Sequence, residues 1–167
     1  MGLVQVAHNS YTNNSTVTSL GIDSDDVYMI VLNDLYMNTN EARPRLRFTK
    51  SSDNSADSAS NYRYANFDRY SNQVSNNSNT GASYWNGFST GTTNKKALRG
   101  IYYLYNFNNA SKFSYVEYNE IAYNSAGENA LRKGGLCFTA NTQHNGFQWH
   151  SSNNNIANAQ VTLYRIT

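Results

Sequence analysis

The sequence contains few cysteines, prolines and charged residues, and it contains no long apolar run. Its 167 residues include a single cysteine, Cys137, so no disulfide can form within the chain. Pro44 is the single proline, and charged residues make up 14% of the chain, below the ~25% typical of soluble domains. No segment approaches the ~20 apolar residues of a membrane span, so we expect no membrane partner.

The sequence also lacks a strong net charge and a signal peptide. The formal net charge of +2 is too small to predict a nucleic-acid partner, which requires a clustered basic field. The segment Met1 to Ser10 lacks the basic start and apolar stretch of a signal peptide. We therefore expect a soluble protein that folds in a cytoplasm.

The sequence has little helical signal. The best candidate, Glu128 to Lys133, is too short to form a stable helix alone. About a third of the chain is Asn, Ser or Thr, and 14 residues are tyrosines. The first three favour turns, and tyrosine favours strands. The composition therefore predicts an all-β protein.

Alternating polar and apolar residues predict about ten strands. The predicted strands are Leu3–His8, Ser15–Leu20, Val27–Tyr36, Arg43–Lys50, Tyr62–Phe67, Ala82–Phe88, Leu98–Phe107, Phe113–Tyr123, Leu136–Ala140, Phe147–His150 and Ala159–Ile166. Ser71–Thr80 is predicted to be a long loop, and Asn108-Asn109 and Asn145-Gly146 are predicted hairpin turns. This spacing predicts one antiparallel, jelly-roll-like β-sandwich domain over residues 1–167.

The titratable residues do not form a recognisable metal or catalytic pattern. His8, His144 and His150 lack the spacing of a metal site. The acidic cluster at residues 23–26 fits a solvated turn better than a calcium loop. Glu117 and Glu120 are three residues apart on one strand and should face opposite sides, so they cannot form an acid–base pair. We expect no metal, no cofactor and no enzymatic activity, and we expect Cys137 to be a structural thiol.

Three arginines alternate along one predicted strand. Arg43, Arg45 and Arg47 should share one face of it. One interpretation is a solvated outer face or a strand edge protected by charge. A second is a cationic stripe that docks on an acidic protein surface, where arginine makes bidentate contacts. A third, less favoured interpretation is a nucleic-acid contact. Under the second interpretation, Tyr62 and Tyr64 are predicted to be further contact residues.

Several segments resemble a known family. Asn155-Ile156-Ala157 and Thr162–Ile166, within the ending Ser151–Thr167, resemble the ending of small virion proteins of tailed phages, many of them marine. Other similar segments, in the same order along the chain, are Asp26–Leu32, Leu46–Lys50, Ser58–Tyr64 and Gly100–Phe107 followed by Asn108, Asn109 and Ser111. The resemblance implies a jelly-roll-like virion structural protein present in many copies on the particle.

The absence of heptads, repeats and a glycine-rich shaft favours a compact capsid decoration (cement) protein over a tail fibre. The expected partners are the major capsid protein and further copies of the chain, with a homotrimer expected from the three-fold points of an icosahedral shell. The expected location is the capsid surface of the virion, after synthesis in the host cytoplasm. The alternative is a tail-tip or fibre-tip adhesin that binds a host glycan through solvent-facing Trp85 or Trp149.

Overall fold

The chain forms two antiparallel β-sheets in a computed structural model that describes residues 2–71, 73–123, 127–151 and 154–167. The described residues contain one short 3-10 helix, Asn94–Lys96, and no helix with the length and apolarity needed to cross a membrane. The twelve strands are β1 (Leu3–Asn14), β2 (Thr16–Leu20), β3 (Tyr28–Met37), β4 (Arg45–Lys50), β5 (Tyr62–Tyr70), β6 (Val74–Ala82), β7 (Trp85–Asn86), β8 (Leu98–Tyr105), β9 (Ser114–Tyr123), β10 (Asn129–Phe138), β11 (His144–His150) and β12 (Ile156–Ile166).

The strand order confirms the predicted jelly-roll-like sandwich. The large sheet has the order β1-β12-β3-β8-β9-β10-β5-β6, and the small sheet has the order β2-β11-β4-β7. Eight of these strands form nested pairs, because β1 pairs with β12, β2 with β11, β3 with β8, and β4 with β7. Successive nested pairs, from β1/β12 inward to β4/β7, alternate between the two sheets. This arrangement is that of a long hairpin rolled up into a jelly roll.

Two inserted pairs of strands widen the large sheet. Strands β9 and β10 add to β8, and strands β5 and β6 continue the sheet beyond β10. The small sheet has half as many strands, and the segment after β7 packs on the inserted strands. Phe88 in this segment lies 5.9 Å from the ring of Tyr70 and 4.3 Å from the guanidinium of Arg132. The extension is therefore covered on its inner face as well.

Aromatic rings fill the space between the sheets. The ring centroid of Phe48 lies 4.5 Å from Phe107, 5.3 Å from Tyr62 and 5.5 Å from Phe147, and all four side chains are buried. Such tilted and edge-to-face pairs add ~0.5–1.5 kcal/mol each beyond the apolar area that they bury. The two sheets are thus held together by one aromatic core.

A charged network lies inside the inserted part of the sandwich. Arg132 on β10 is 5% exposed and donates two hydrogen bonds to the carboxylate of Asp68, at 2.7 and 2.8 Å. Its register partner on β9 is Glu120, which is 1% exposed and accepts a 2.6 Å hydrogen bond from the Tyr102 hydroxyl. One buried carboxyl group, that of Asp68, is therefore paired with the guanidinium, whereas Glu120 bonds to Tyr102.

Burial sets the protonation of Glu120. Burial raises the pKa of its carboxyl to about 7, although Arg132 and the hydrogen bond from Tyr102 oppose the shift. Arg132 already forms a bidentate pair with Asp68, and the second oxygen of Glu120 has no hydrogen-bond partner. Glu120 therefore exchanges its proton close to neutral pH.

The structure differs from the predicted strands mainly around β6. The predicted loop Ser71–Thr80 is wrong over most of its length, because β6 pairs with β5 from Val74 onward. Asn72 lies outside the described residues. The predicted strand Ala82–Phe88 is reduced to the two residues of β7. The predicted strand Arg43–Lys50 begins two residues too early, because β4 starts at Arg45 and Arg43 lies ahead of it.

One predicted turn is also wrong. Asn145 and Gly146 lie within β11 and do not form a hairpin turn. A Cβ atom on Gly146 would lie 2.0 Å from the carbonyl oxygen of Ser19, so the glycine permits close approach of β2. Residues 129–133 of the best helix candidate are extended in β10, which pairs with both β9 and β5.

Candidate functional site

The outer side of the small sheet carries a cluster that we call the basic face: Arg45, Arg47, Tyr84, Gln148 and His150. Strands β4 and β11 pair so that Arg45 lies opposite His150 and Arg47 lies opposite Gln148. Because side chains alternate along a strand, the intervening residues of β4 and β11 point into the core. Regular strand pairing thus fixes the spacing of the polar groups on this face.

The guanidinium groups of Arg45 and Arg47 both lie over the ring of Tyr84. The guanidinium carbon of Arg45 lies 4.3 Å from the ring centroid of Tyr84, and that of Arg47 lies 5.9 Å from it. The Arg47 Nε also donates a 3.0 Å hydrogen bond to the carbonyl oxygen of Ser83. Stacking of this kind contributes ~0.5–1 kcal/mol at exposed sites and restricts the guanidinium. The two cationic groups are therefore held in place before any partner binds.

The charge of the basic face is not neutralised by the described residues. No carboxylate of these residues lies within 4.0 Å of the Arg45 or Arg47 nitrogens, whereas Arg99 and Arg132 have carboxylate partners. Burial and the neighbouring charges of Arg47 and Arg45 lower the pKa of His150 to about 4. His150 is thus neutral near pH 7, and the two guanidinium groups carry the charge of the cluster.

This arrangement suits an anionic partner. Each guanidinium can donate parallel hydrogen bonds to a carboxylate, and such charge-assisted pairs are about twice as strong as neutral hydrogen bonds. The Gln148 amide can add a neutral hydrogen bond from the same surface; its Nε2 also lies 3.3 Å from the Thr18 hydroxyl. The basic face therefore combines fixed positive charge with the spacing that the pairing of β4 and β11 gives to its side chains.

The predicted contact residues do not all lie on this face. Arg45 and Arg47 do, and Arg43 is solvent-exposed ahead of β4. Tyr62 is 0% exposed, and its hydroxyl donates to the Asp57 carbonyl and accepts from the Phe48 amide. The prediction that Tyr62 is an exposed contact residue is therefore wrong. Tyr64 is half-buried and lies on β5 of the other sheet.

The predicted glycan-binding tryptophans are also wrong. Trp85 and Trp149 are each 1% exposed and lie in the core. Trp85 packs 4.6 Å from Tyr118, and Trp149 stacks 5.9 Å from Phe147. Neither indole can stack on an external sugar. Sequence reasoning missed Tyr84, although the predicted strand Ala82–Phe88 would place it on the opposite side from Trp85. In the structure, Tyr84 lies in a bend directly before β7.

Three core residues have the types found in hydrolase triads, but their setting is structural. The Ser114 hydroxyl lies 2.9 Å from Nδ1 of His144, and Nε2 of His144 lies 3.7 Å from the Asp57 carboxylate. Ser114 and His144 are 0% exposed, and the imidazole is 4.8–5.8 Å from the rings of Phe48, Phe107 and Phe138. A substrate cannot reach the hydroxyl without opening the core.

The two glutamates of β9, Glu117 and Glu120, do not form a carboxylate pair. Glu117 is exposed and Glu120 is buried, which confirms that they lie on opposite faces of β9. Within the described ranges, no group of three or more His, Cys, Asp or Glu side chains is placed to hold a metal ion.

A second surface lies on the outer side of the large sheet. A groove of about 410 Å³ is lined by Tyr115 on β9, Gly135 on β10, Arg63 on β5, and Ser78, Asn79 and Thr80 on β6. Tyr115 is 44% exposed. A Cβ atom on Gly135 would meet nothing closer than 3.8 Å, so the sheet surface beside the ring is open. Tyr64 also lines this groove.

The fold and these surfaces define a jelly-roll β-sandwich with one basic and one aromatic, amide-rich surface. Comparison of the chain with protein-family models, with curated proteins and with solved structures found no match.

Proposed function

We propose that this chain is a non-catalytic structural protein of a phage virion that decorates the capsid and docks on an acidic protein surface through its basic face. The observation that carries the docking surface is the pair of un-neutralised guanidinium groups held over Tyr84. The virion setting rests on the sequence resemblance in the segments around Asp26–Leu32 and Thr162–Ile166.

Electrostatics and repetition explain how such a surface would work on a particle. Arginine forks bind carboxylates bidentately, which fixes orientation as well as affinity. Complementary charge also accelerates encounter between the partners. Each copy needs only modest affinity, because many copies on a regular lattice bridge neighbouring subunits and their contacts add through multivalency.

The direct test is charge reversal at Arg45. Arg45→Glu is expected to raise the Kd for capsid shells that lack this protein by about 30-fold or more, because it places a carboxylate against an acidic surface. Co-sedimentation of the purified protein with such shells measures the effect. The fold should persist, since Arg45 lies on the outer side of β4, and circular dichroism checks this.

The matched control for this experiment is Arg69→Glu, an exposed arginine on the outer side of β5. It makes the same charge change on the other sheet and should leave capsid binding unchanged. Equal losses in the two variants would show that only net charge matters and would contradict a specific basic face.

Cryo-electron microscopy of intact particles should place the protein at regular capsid positions; density only at the tail or fibre tips would overturn the decoration role.

A second candidate function, glycan binding at a tail or fibre tip, is favoured by the groove beside Tyr115. An exposed phenol ring next to hydroxyl and amide groups suits ring stacking with a sugar together with neutral hydrogen bonds. Tyr115→Ala is then expected to weaken binding to any positive glycan on an array by about tenfold or more, because a central aromatic contact usually contributes over 1 kcal/mol. Tyr123→Ala is the control, since Tyr123 is similarly exposed on the same strand but does not line the groove. If the wild-type protein binds no glycan on a broad array, glycan binding is rejected as the function.

A further inference from the structure

Two grooves lie side by side on the outer side of the inserted strands β9, β10, β5 and β6. The first groove is the one beside Tyr115. The second groove, of about 390 Å³, has Phe67 on β5 and Lys133 on β10 in its lining. Ala65 and Ser78 line both grooves. The two grooves therefore form one continuous surface.

Each groove contains one exposed aromatic ring and one exposed cation. In the first groove, Tyr115 and Arg63 lie in one row across the sheet, on either side of Cys137. In the second groove, Phe67 and Lys133 are direct register partners. The Tyr115 and Phe67 side chains are 44% and 41% exposed, and both cations are exposed. The same combination of groups therefore occurs twice, about 13 Å apart along the strands, since Arg63 and Phe67 are four positions apart on β5.

The positive charge of both grooves is available to a ligand. Within the described ranges, no carboxylate lies within 4.0 Å of the side-chain nitrogens of Arg63 or Lys133, whereas Arg99 and Arg132 have carboxylate partners. Glu117 points to the same side of the sheet but lines neither groove. A ligand with negative charge would therefore meet two cations that no neighbouring carboxylate neutralises.

The edge strand β6 supplies neutral hydrogen-bonding groups to both grooves. It contributes the exposed side chains of Asn76, Ser78, Asn79 and Thr80. Amides and hydroxyls suit the hydroxyl groups of a sugar, and an exposed aromatic ring suits its apolar face. A guanidinium or an ammonium adds a charge-assisted hydrogen bond to an acidic substituent. The grooves therefore combine three kinds of contact that an acidic sugar can use.

We propose that the two grooves together bind an oligosaccharide that carries carboxylate groups, with one acidic sugar in each groove. The proposal rests on the second candidate function, glycan binding beside Tyr115, and gives it a ligand class. The basic face lies on the outer side of the small sheet, so the grooves on the large sheet point away from it. A copy docked on a capsid through Arg45 and Arg47 would therefore leave this site open.

Two other anionic ligands match these grooves less well. Single-stranded nucleic acid stacks successive bases on aromatic rings, but the rows that contain Tyr115 and Phe67 are about 13 Å apart along the strands. An acidic peptide would pair with both cations, but it lacks the many hydroxyl groups that the amides and hydroxyls of β6 can bind. The wall formed by β6 thus favours a sugar.

The test is the affinity of the full chain for a panel of uronic-acid and sialic-acid oligosaccharides, each compared with its neutral methyl ester by calorimetry. At least one acid is expected to bind about tenfold or more tightly than its ester, because the ester lacks the charge that Arg63 and Lys133 contact. Arg63→Gln should remove most of this preference and leave the affinity for the ester unchanged. Arg99→Gln is the matched control, since Arg99 lies on the same sheet but lines neither groove, and it should keep the preference.

The single cysteine reports where the ligand lies. Cys137 is partly exposed in the row between Tyr115 and Arg63. A bound acidic oligosaccharide should therefore slow alkylation of this thiol by N-ethylmaleimide severalfold, because the reaction requires access to the sulfur. This measurement uses the unsubstituted protein, so it remains decisive if Arg63→Gln fails to fold.

The outcomes separate the ligand class from glycan binding itself. Equal affinity for every acid and its ester would overturn the proposal and leave glycan binding beside Tyr115 intact, whereas no binding to any glycan, acidic or neutral, would reject both. Binding to an oligothymidylate or an oligoaspartate but to no acidic sugar would identify a different anionic partner and overturn the proposal. An acidic oligosaccharide that binds without slowing the alkylation of Cys137 would lie elsewhere on the chain and would also overturn it.

Discussion

Replacing Arg132 by methionine is expected to lower the free energy of unfolding by about 3–5 kcal/mol. Asp68 and Glu120 are both about 1% exposed, and the guanidinium of Arg132 forms a bidentate pair with Asp68. Removal of this cation leaves Asp68 buried with only the amide hydrogen bonds from Asn66 and Asn77, at 2.7 and 3.0 Å. Urea or thermal unfolding followed by circular dichroism measures the loss.

A surface ion pair provides the control for Arg132. Arg99 contacts Asp34, and their side chains are 44% and 25% exposed. Arg99→Met should change stability by no more than about 1 kcal/mol, because exposed pairs are screened by solvent. The double variant Asp68→Leu/Arg132→Met should recover much of the loss, since it removes both charges of the pair. Similar losses for Arg132→Met and Arg99→Met would show that the buried network is not held by this cation.

Substitution of Glu120 by glutamine is expected to change how stability depends on pH. The folded protein retains the Glu120 proton up to about pH 7, whereas the unfolded chain releases it near 4.5. The folded state therefore binds more protons in this interval, so this group makes the free energy of unfolding fall as pH rises from about 4.5 to about 7. At about 1.4 kcal/mol per pKa unit the effect is about 3 kcal/mol, and Glu120→Gln should abolish it.

The measurement is the difference in free energy of unfolding between wild type and Glu120→Gln at a series of pH values. The lowered pKa of His150 makes stability rise with pH between about 4 and 6.5 in both proteins, so the subtraction removes it. Glu117→Gln, which removes an exposed carboxylate from the same strand, should keep the wild-type profile. A difference between wild type and Glu120→Gln that stays constant from pH 4.5 to 8 would refute the assignment.

The fold could be predicted from the sequence where one face of a strand is buried. In β9 and β4, apolar and polar side chains alternate because one side meets the core and the other meets solvent. Strand β6 has no such contrast, since almost all of its residues are exposed and only backbone pairing with β5 makes it a strand. Pairing on both sides of β10 likewise overrides the helical preference of residues 129–133.

The candidate site was harder to predict, because periodicity assigns residues to two faces but does not say which face is inside. The sequence correctly predicts that Arg45 and Arg47 share one face, since their charge keeps them out of the core. It also predicts exposed side chains at Trp85, Trp149 and Tyr62, yet all three are buried. The hydrogen-bond partners that allow Tyr62 to be buried, Phe48 and Asp57, become neighbours only through the fold.

The nested pairing of the jelly roll has a consequence for how fast the protein reaches its native state. Strand β1 pairs with β12, and β2 pairs with β11, so these ladders join strands that are far apart in sequence. Closing such long loops costs entropy before any contact is gained, and folds dominated by these pairings form in milliseconds to seconds. During synthesis, β1 therefore cannot pair with β12 until nearly all of this sequence has left the ribosome.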